Sequence, residues 1–294
     1  MSPPAPVNFP SLTNEPTIQE RLDRLAAFRA WLEGHNIRVA ATRLAAYSKN
    51  LMHFATLREP QPEDWDVFLF NLREVDELLW VYEGLQRQVP AGAIALLEKA
   101  IGGSLLSSNE IDTQARNFLF ELRIASYFLQ AGVPITLNDR SDIVASFDDA
   151  VIHIECKRLE SRKKVQQRAA ESLRQLQSRL SGPSSKQYGL AAFDVGQILH
   201  PNQGLSWSVT AEHGRLGLKS QLAAFEDDFD LGRLFRPERR VLSVWLQMLV
   251  PILHLAEKQP ATRFSSLHLV LAAHGRRRAL FEKLRVVFEV EPVR

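Results

Sequence analysis

An α/β fold, α+β in its ordering, behind an all-helical N-terminal region is predicted by three observations. The stretch from Thr17 to about Ala100 has helical periodicity and is rich in good helix formers. After Ser108 the pattern changes to helix, strand, strand, helix, strand. Within that second part, Val151 to Leu159 (VIHIECKRL) alternates so that Glu155 and Lys157 share one strand face while Ile152, Ile154 and Cys156 share the other. The expected divisions are a disordered, Pro-rich lead-in over 1–16, a helical region over 17–110 and an α/β domain over 111–294.

Taken in order, Leu22, Leu25 and Ala26, followed by Trp31 and Leu32, mark the first helix. The stripe Trp65, Phe68, Leu69, Leu72, Val75, Leu78 and Leu79 predicts a second over Glu63 to Gln88. Pro60 and Pro62 stand just ahead of it, where proline is tolerated. Pro90 and Gly102-Gly103 then punctuate the chain. Residues 112 to 131 form the next helix, with Gly132 placed as its stop. Asp142 to Phe147 and Val151 to Leu159 read as strands, and the short Asp148-Asp149-Ala150 link predicts an antiparallel hairpin. Residues 163 to 180 are amphipathic through Val165, Ala169, Leu173, Leu176 and Leu180, and Gly182-Pro183 ends that helix. Tyr188 to Val195 suits a buried strand, as does His268 to Ala273. Val241 to Leu255 fits strand or helix, because a short apolar run does not separate the two.

With 294 residues, 45% of them hydrophobic, the chain can bury one large core or two ordinary ones. A formal charge of +2 does not by itself indicate a polyanionic partner, so any phosphate-binding surface must come from local clustering. One cysteine excludes an intrachain disulfide framework and fits a reducing cytoplasm, the expected location. The Pro-rich start lacks a basic leader followed by an apolar core, and Val241 to Leu255 is too short for a membrane span. No membrane partner is expected.

On the helix at 112 to 131, Glu121 falls within the arc of Phe118, Leu122, Ala125, Phe128 and Leu129, while Arg123 and Gln130 fall well away from it. A core-facing carboxylate needs a partner, and alone it fits a buried salt bridge. Glu155 and Lys157 raise the same question, since an acid and a base leaving a hydrophobic sheet are costly unless compensated.

Glu121 on a helix, Asp142 at the start of one strand, Glu155 and Lys157 at the end of the next, and an amphipathic helix after them resemble the PD-(D/E)XK nuclease superfamily, with its restriction-endonuclease-like fold. The resemblance covers roughly residues 112 to 196. Ser141-Asp142 departs from the family's Pro-Asp pair, while Glu-Cys-Lys-Arg at 155 to 158 looks like the form in many bacterial nuclease-like proteins of this group. The resemblance implies a restriction-endonuclease-like core, a central mixed β-sheet flanked by helices, and hydrolysis of nucleic-acid phosphodiesters, with DNA the expected substrate. It implies Mg²⁺, for which Mn²⁺ can substitute, held by Asp142, Glu155 and the Cys156 carbonyl, with Glu121 binding through water or helping a second ion. Lys157 is then expected to orient or help deprotonate the attacking water and to offset charge on the phosphate. Gln175, on the following helix, is the nearest match to a glutamine that supports the site in the family.

Arg158, Arg162, Lys163, Lys164 and Arg168 cluster at a helix start, where cations oppose the macrodipole and a bound phosphate reverses that penalty. They are candidate nucleic-acid contacts, against a solvated basic face. Arg276 to Arg278 read more simply as a solvated turn, and His153 as a sheet-surface residue. The histidines show no two-ligand helical spacing, which argues against a zinc hydrolase. Gly214 to Ser220 lacks the order of a P-loop, and there is no Gly-x-Ser-x-Gly elbow. Cys156, opposite the acids, is expected in the core. A catalytically inactive module of the same fold, binding nucleic acid or assembling with a partner, is the alternative. A homodimer or protein contact through the N-terminal helices is also open.

Overall fold

The computed structural model describes residues 16–57, 61–105, 114–138, 142–182, 186–201, 206–256, 259–272 and 274–289. The expected lead-in, apart from Pro16, lies outside the described residues, as do Pro60, Ser141, Pro183 and Ala273.

Four helices come first: α1 (Ile18–Gly34), α2 (Arg43–Thr56), α3 (Pro62–Arg87) and α4 (Ala93–Ile101). Thr17 starts α1 with a capping box, its hydroxyl accepting from the Glu20 amide at 3.2 Å while Glu20 Oε2 accepts from the Thr17 amide at 2.6 Å. The 26-residue α3 begins one residue earlier than expected, with Pro62 inside its first turn, where proline's missing N–H costs no helical hydrogen bond. Its stripe is wider than expected. Asn71, Arg73, Glu74 and Glu77 are buried together with the apolar residues, because α3 is enclosed by α1 and α2 on one side and by the next helix on the other.

That next helix, α5 (Gln114–Gln130), ends in a Schellman motif: Gly132 takes φ 75°, the Val133 amide donates to the Phe128 carbonyl at 2.8 Å, and the Gly132 amide donates to the Leu129 carbonyl at 3.0 Å. The chain continues as β1 (Ile135–Thr136), β2 (Ile143–Phe147), β3 (Ala150–Arg158), a 3-10 turn at Arg162–Lys164, α6 (Val165–Leu180) and β4 (Gln187–Asp194). It finishes with α7 (Gly196–Leu199), β5 (Ser206–Ser208), α8 (Ala211–Phe229), α9 (Leu231–Phe235), β6 (Val241–His254), β7 (Gln259–Val270) and α10 (Gly275–Phe288).

The strands form one mixed sheet of seven. β1, β2 and β3 are successive antiparallel neighbours, β4 runs parallel to β3, and β6 runs parallel to β4. The predicted hairpin is present, with Phe147 opposite Ala150 and Asp148 in the left-handed region at φ 57°. Arg276 and Lys186 pair with Asp149, and Lys283 with Asp148; Arg276 to Arg278, expected as a solvated turn, instead form the first turn of α10, and Arg276 ties that helix to the hairpin tip. Val241 to Leu255 resolves as a strand, and β7 pairs along β6 from Gln259 to Val270, earlier and longer than the expected His268 to Ala273.

Helices cover both faces of the sheet. Leu190 and Ala192 of β4 join the core of α1 to α5 and α10, whereas Ala191 and Phe193 join the core of α6, α8 and α9. A strand buried on both faces reads as a continuous apolar run, which is why periodicity left β6 ambiguous. One apolar cluster runs from Leu25 of α1 through α5 to Phe288 of α10. The helical region therefore does not have a core of its own.

Candidate functional site

The candidate site lies where β3 outruns β2. Ile143, the first residue of β2, pairs with Ile154, so Glu155, Cys156 and Lys157 have no β2 residue opposite them. The Asp142 side chain continues the ladder instead, its Oδ2 accepting from the Cys156 amide at 2.6 Å. Within a strand, a residue's N–H and C=O leave on the same side. The Cys156 carbonyl therefore also points toward this edge, on the side of Asp142.

An open edge lets side chains from both sheet faces meet. Glu155 and Lys157 sit beside Ala191 and Phe193 of β4, on the α6 face. Cys156 lies on the α5 face, buried with Ile152 and Ile154. Glu121 of α5 reaches the same edge and lines a cleft of ≈ 230 Å³ with Cys156, Lys157, Arg158, Lys164 and Arg168. At about 30 Å³ per water, that volume admits a phosphate group with some of its hydration.

The electrostatics follow from this crowding. Burial first, then the negative charge of Asp142, pushes the Glu121 carboxyl up to about 8. Burial and Glu155 raise Asp142 to about 6, against the Cys156 amide and Lys157, which favour its charged form. Lys157 Nζ pairs with Glu155 Oε1 at 2.7 Å. Burial acts to lower the Lys157 ammonium, but Glu155 and Asp142 outweigh it and the net direction is upward. Glu155 has no solvent exposure, and its second oxygen accepts from Arg179 of α6.

The four residues singled out from the sequence thus gather at one end of β3. Their metal chemistry is less direct. Among the described residues no group of three or more His, Cys, Asp and Glu side chains is disposed to hold a metal ion. The donor types fit a hard divalent cation, being three carboxylates and a strand carbonyl, and a cation would relieve the repulsion that raises Glu121 and Asp142. Glu155, however, has its oxygens turned toward Lys157 and Arg179.

Several expectations need correction. Arg123 and Gln130 do not face away from the core. Both are buried, because α5 lies between α3 and α4 on one side and the sheet on the other. Arg123 bridges Glu77 at 2.7 Å and Asp194 at 3.1 Å. Arg158 is not part of an exposed basic group: its guanidinium is mostly buried, 3.6 Å from Asp194, although it still borders the cleft. Arg162, Lys163, Lys164 and Arg168 are exposed, Arg162 pairing with Asp228 and Arg168 with Glu171 at 2.9 Å. α6 begins at Val165, after the 3-10 turn, with no side-chain cap on its first amides.

Gln175 is half-buried, with its Oε1 enclosed and without a hydrogen-bond partner, and His153 is half-buried on the strand face of Glu155. Arg179 was missed by sequence reasoning. The signal was available, since Ser172, Gln175 and Arg179 fall at i, i+3 and i+7 on one side of α6, but an arginine in a last helical turn reads first as a cation favoured by the helix dipole.

No family model, curated protein or solved structure matches the chain. Among the described residues no helix is long and apolar enough to cross a membrane.

Proposed function

We propose that the chain is a metal-dependent nuclease that hydrolyses phosphodiester bonds, with DNA as the expected substrate and a restriction-endonuclease-like core formed by α5 through β4. The observation that carries this reading is the convergence of Glu121, Asp142, Glu155 and Lys157 at the open edge of β3, beside a phosphate-sized cleft rimmed by Lys164 and Arg168. The order of α5, the β2–β3 hairpin, α6 and β4 also supports it.

Asp142, Glu155 and the Cys156 carbonyl would hold Mg²⁺ or Mn²⁺, with Glu121 beside them. Such an ion supplies charge neutralisation at the phosphate and a more acidic bound water. Lys157, which pairs with Glu155 at the edge of the cleft, would orient or help deprotonate the attacking water and offset charge on the phosphate. Lys163, Lys164 and Arg168 at the uncapped start of α6 position backbone phosphates without reading sequence.

The second reading, a non-catalytic nucleic-acid-binding or assembly module of this fold, is favoured by one observation: Glu155 is occupied by Lys157 and Arg179. A partner or second copy held through the N-terminal helices belongs to that reading. Incubation of purified protein with DNA and Mg²⁺ separates the two. The nuclease reading expects cleavage that disappears in folded Lys157→Ala and Asp142→Ala proteins. Binding of metal and nucleic acid with cleavage of neither DNA nor RNA leaves only the module.

A further inference from the structure

Glu155 is the most enclosed member of the cluster and the most heavily compensated. Lys157 Nζ holds Oε1 at 2.7 Å, Arg179 Nη1 donates to Oε2, and the residue has no exposure to solvent. Two cations facing one carboxylate leave it little charge to offer a third. Lys157 is adjacent in the strand, whereas Arg179 is delivered from across the α6 layer, 24 positions along the chain. A guanidinium does not lose its charge in a protein, so it can release Glu155 only by moving.

A place to move to exists. Gln175 stands four residues before Arg179, one turn back on the same side of α6, and its Oε1 is buried without a hydrogen-bond partner. Ser172 Oγ, a further turn back, is in the same condition. Buried acceptors without donors are uncommon, and these two stand one and two turns before Arg179 on its own side of α6.

We propose that Arg179 is an internal competitor for the divalent cation, pairing with Glu155 in the metal-free protein and passing to the Gln175 carbonyl when the ion takes that carboxylate. The inference rests on the metal-dependent reading above. Arg179 then sets the concentration of free metal at which the site fills, because binding must first break a charge-assisted pair in a site sheltered from water.

The test is Mn²⁺ titration of the full chain without nucleic acid, followed by the electron paramagnetic resonance signal of free Mn²⁺, with circular dichroism as the check on folding. Wild type, Arg179→Gln, Gln175→Leu and Glu155→Gln are compared. Arg179→Gln is expected to bind Mn²⁺ roughly ten-fold more tightly than wild type, since one opposing charge is gone. Gln175→Leu is expected to bind several-fold more weakly, having lost the alternative acceptor, and Glu155→Gln to lose the site. Equal or weaker binding in Arg179→Gln shows that Arg179 only positions Glu155, and overturns the proposal while the metal reading stands. If Arg179→Gln does not fold, Gln175→Leu carries the test alone, and unchanged or tighter binding there overturns it. Wild-type protein with no Glu155-dependent Mn²⁺ binding overturns both.

Discussion

Glu121 shows what a partly buried carboxylate beside other acids costs in stability. Its carboxyl is pushed up to about 8 and that of Asp142 to about 6, burial being the first cause of each. In the unfolded chain both return to ordinary carboxylate values near 4. Between those limits the folded protein binds more protons than the unfolded one, so these groups reduce stability as pH rises through about 5 to 8. Glu121→Gln is therefore expected to stabilise the metal-free protein by about 1–2 kcal/mol at pH 8 and by little at pH 4.5. Urea midpoints at the two pH values measure this, and a gain of equal size at both would point to packing instead of charge. At this scale Glu155 and Lys157 were legible because alternation in a strand assigns faces without reference to the fold, whereas Asp142, which stands just ahead of β2, was singled out only through the family resemblance. Arg179 and Asp194 were not, since their roles depend on which helix and strand lie opposite them.

Helix α5 carries two further expectations. Arg123 is buried between Glu77 of α3 and Asp194 of β4, and Asp194 in turn faces Arg158. Removing one member of a buried ionic set leaves the others uncompensated, so Arg123→Met is expected to cost about 3–5 kcal/mol in chemical denaturation. A loss under 1 kcal/mol would mean that water or rearrangement compensates the two acids. Where α3 and α5 cross, a Cβ on Gly84 would come within 2.6 Å of Ser126 Oγ and 2.8 Å of its Cα. Gly84→Ala must push the helices apart and is expected to cost about 1–3 kcal/mol, whereas an unstrained helical glycine would gain about 1 kcal/mol from alanine. The sequence located α3, α5 and α6 well because periodicity and end signals agree there. It failed to say that α3 and α5 are buried nearly all round. Their polar residues partner one another inside the protein, and a helical wheel assigns polar residues to solvent.

Across the whole molecule, the expected boundary near residue 110 separates two patterns but not two cores. Leu72, Val75 and Leu79 of α3 belong to the same apolar cluster as Ile154 of β3 and Trp245 of β6. A fragment of residues 111–294 would expose the helix-facing side of α5 and part of the sheet. It is expected to show no cooperative thermal transition, and a sharp calorimetric transition in that fragment would restore the two-domain division. The mixed α/β class was legible from the change of pattern after Ser108. The pairing of β4 with β6 was not, because it joins strands that are distant in sequence and apolar on both faces.

The most direct test of the central claim compares wild type with Lys157→Met on a DNA substrate, measuring binding in EDTA and cleavage in Mg²⁺ from the same preparations. If Lys157 acts on the water and the phosphate at the open edge of β3, wild type cleaves, while Lys157→Met binds DNA within a few-fold of wild type and loses at least about 10²-fold in cleavage rate. Cleavage by Lys157→Met at the wild-type rate, or no metal-dependent cleavage by wild type, would contradict it.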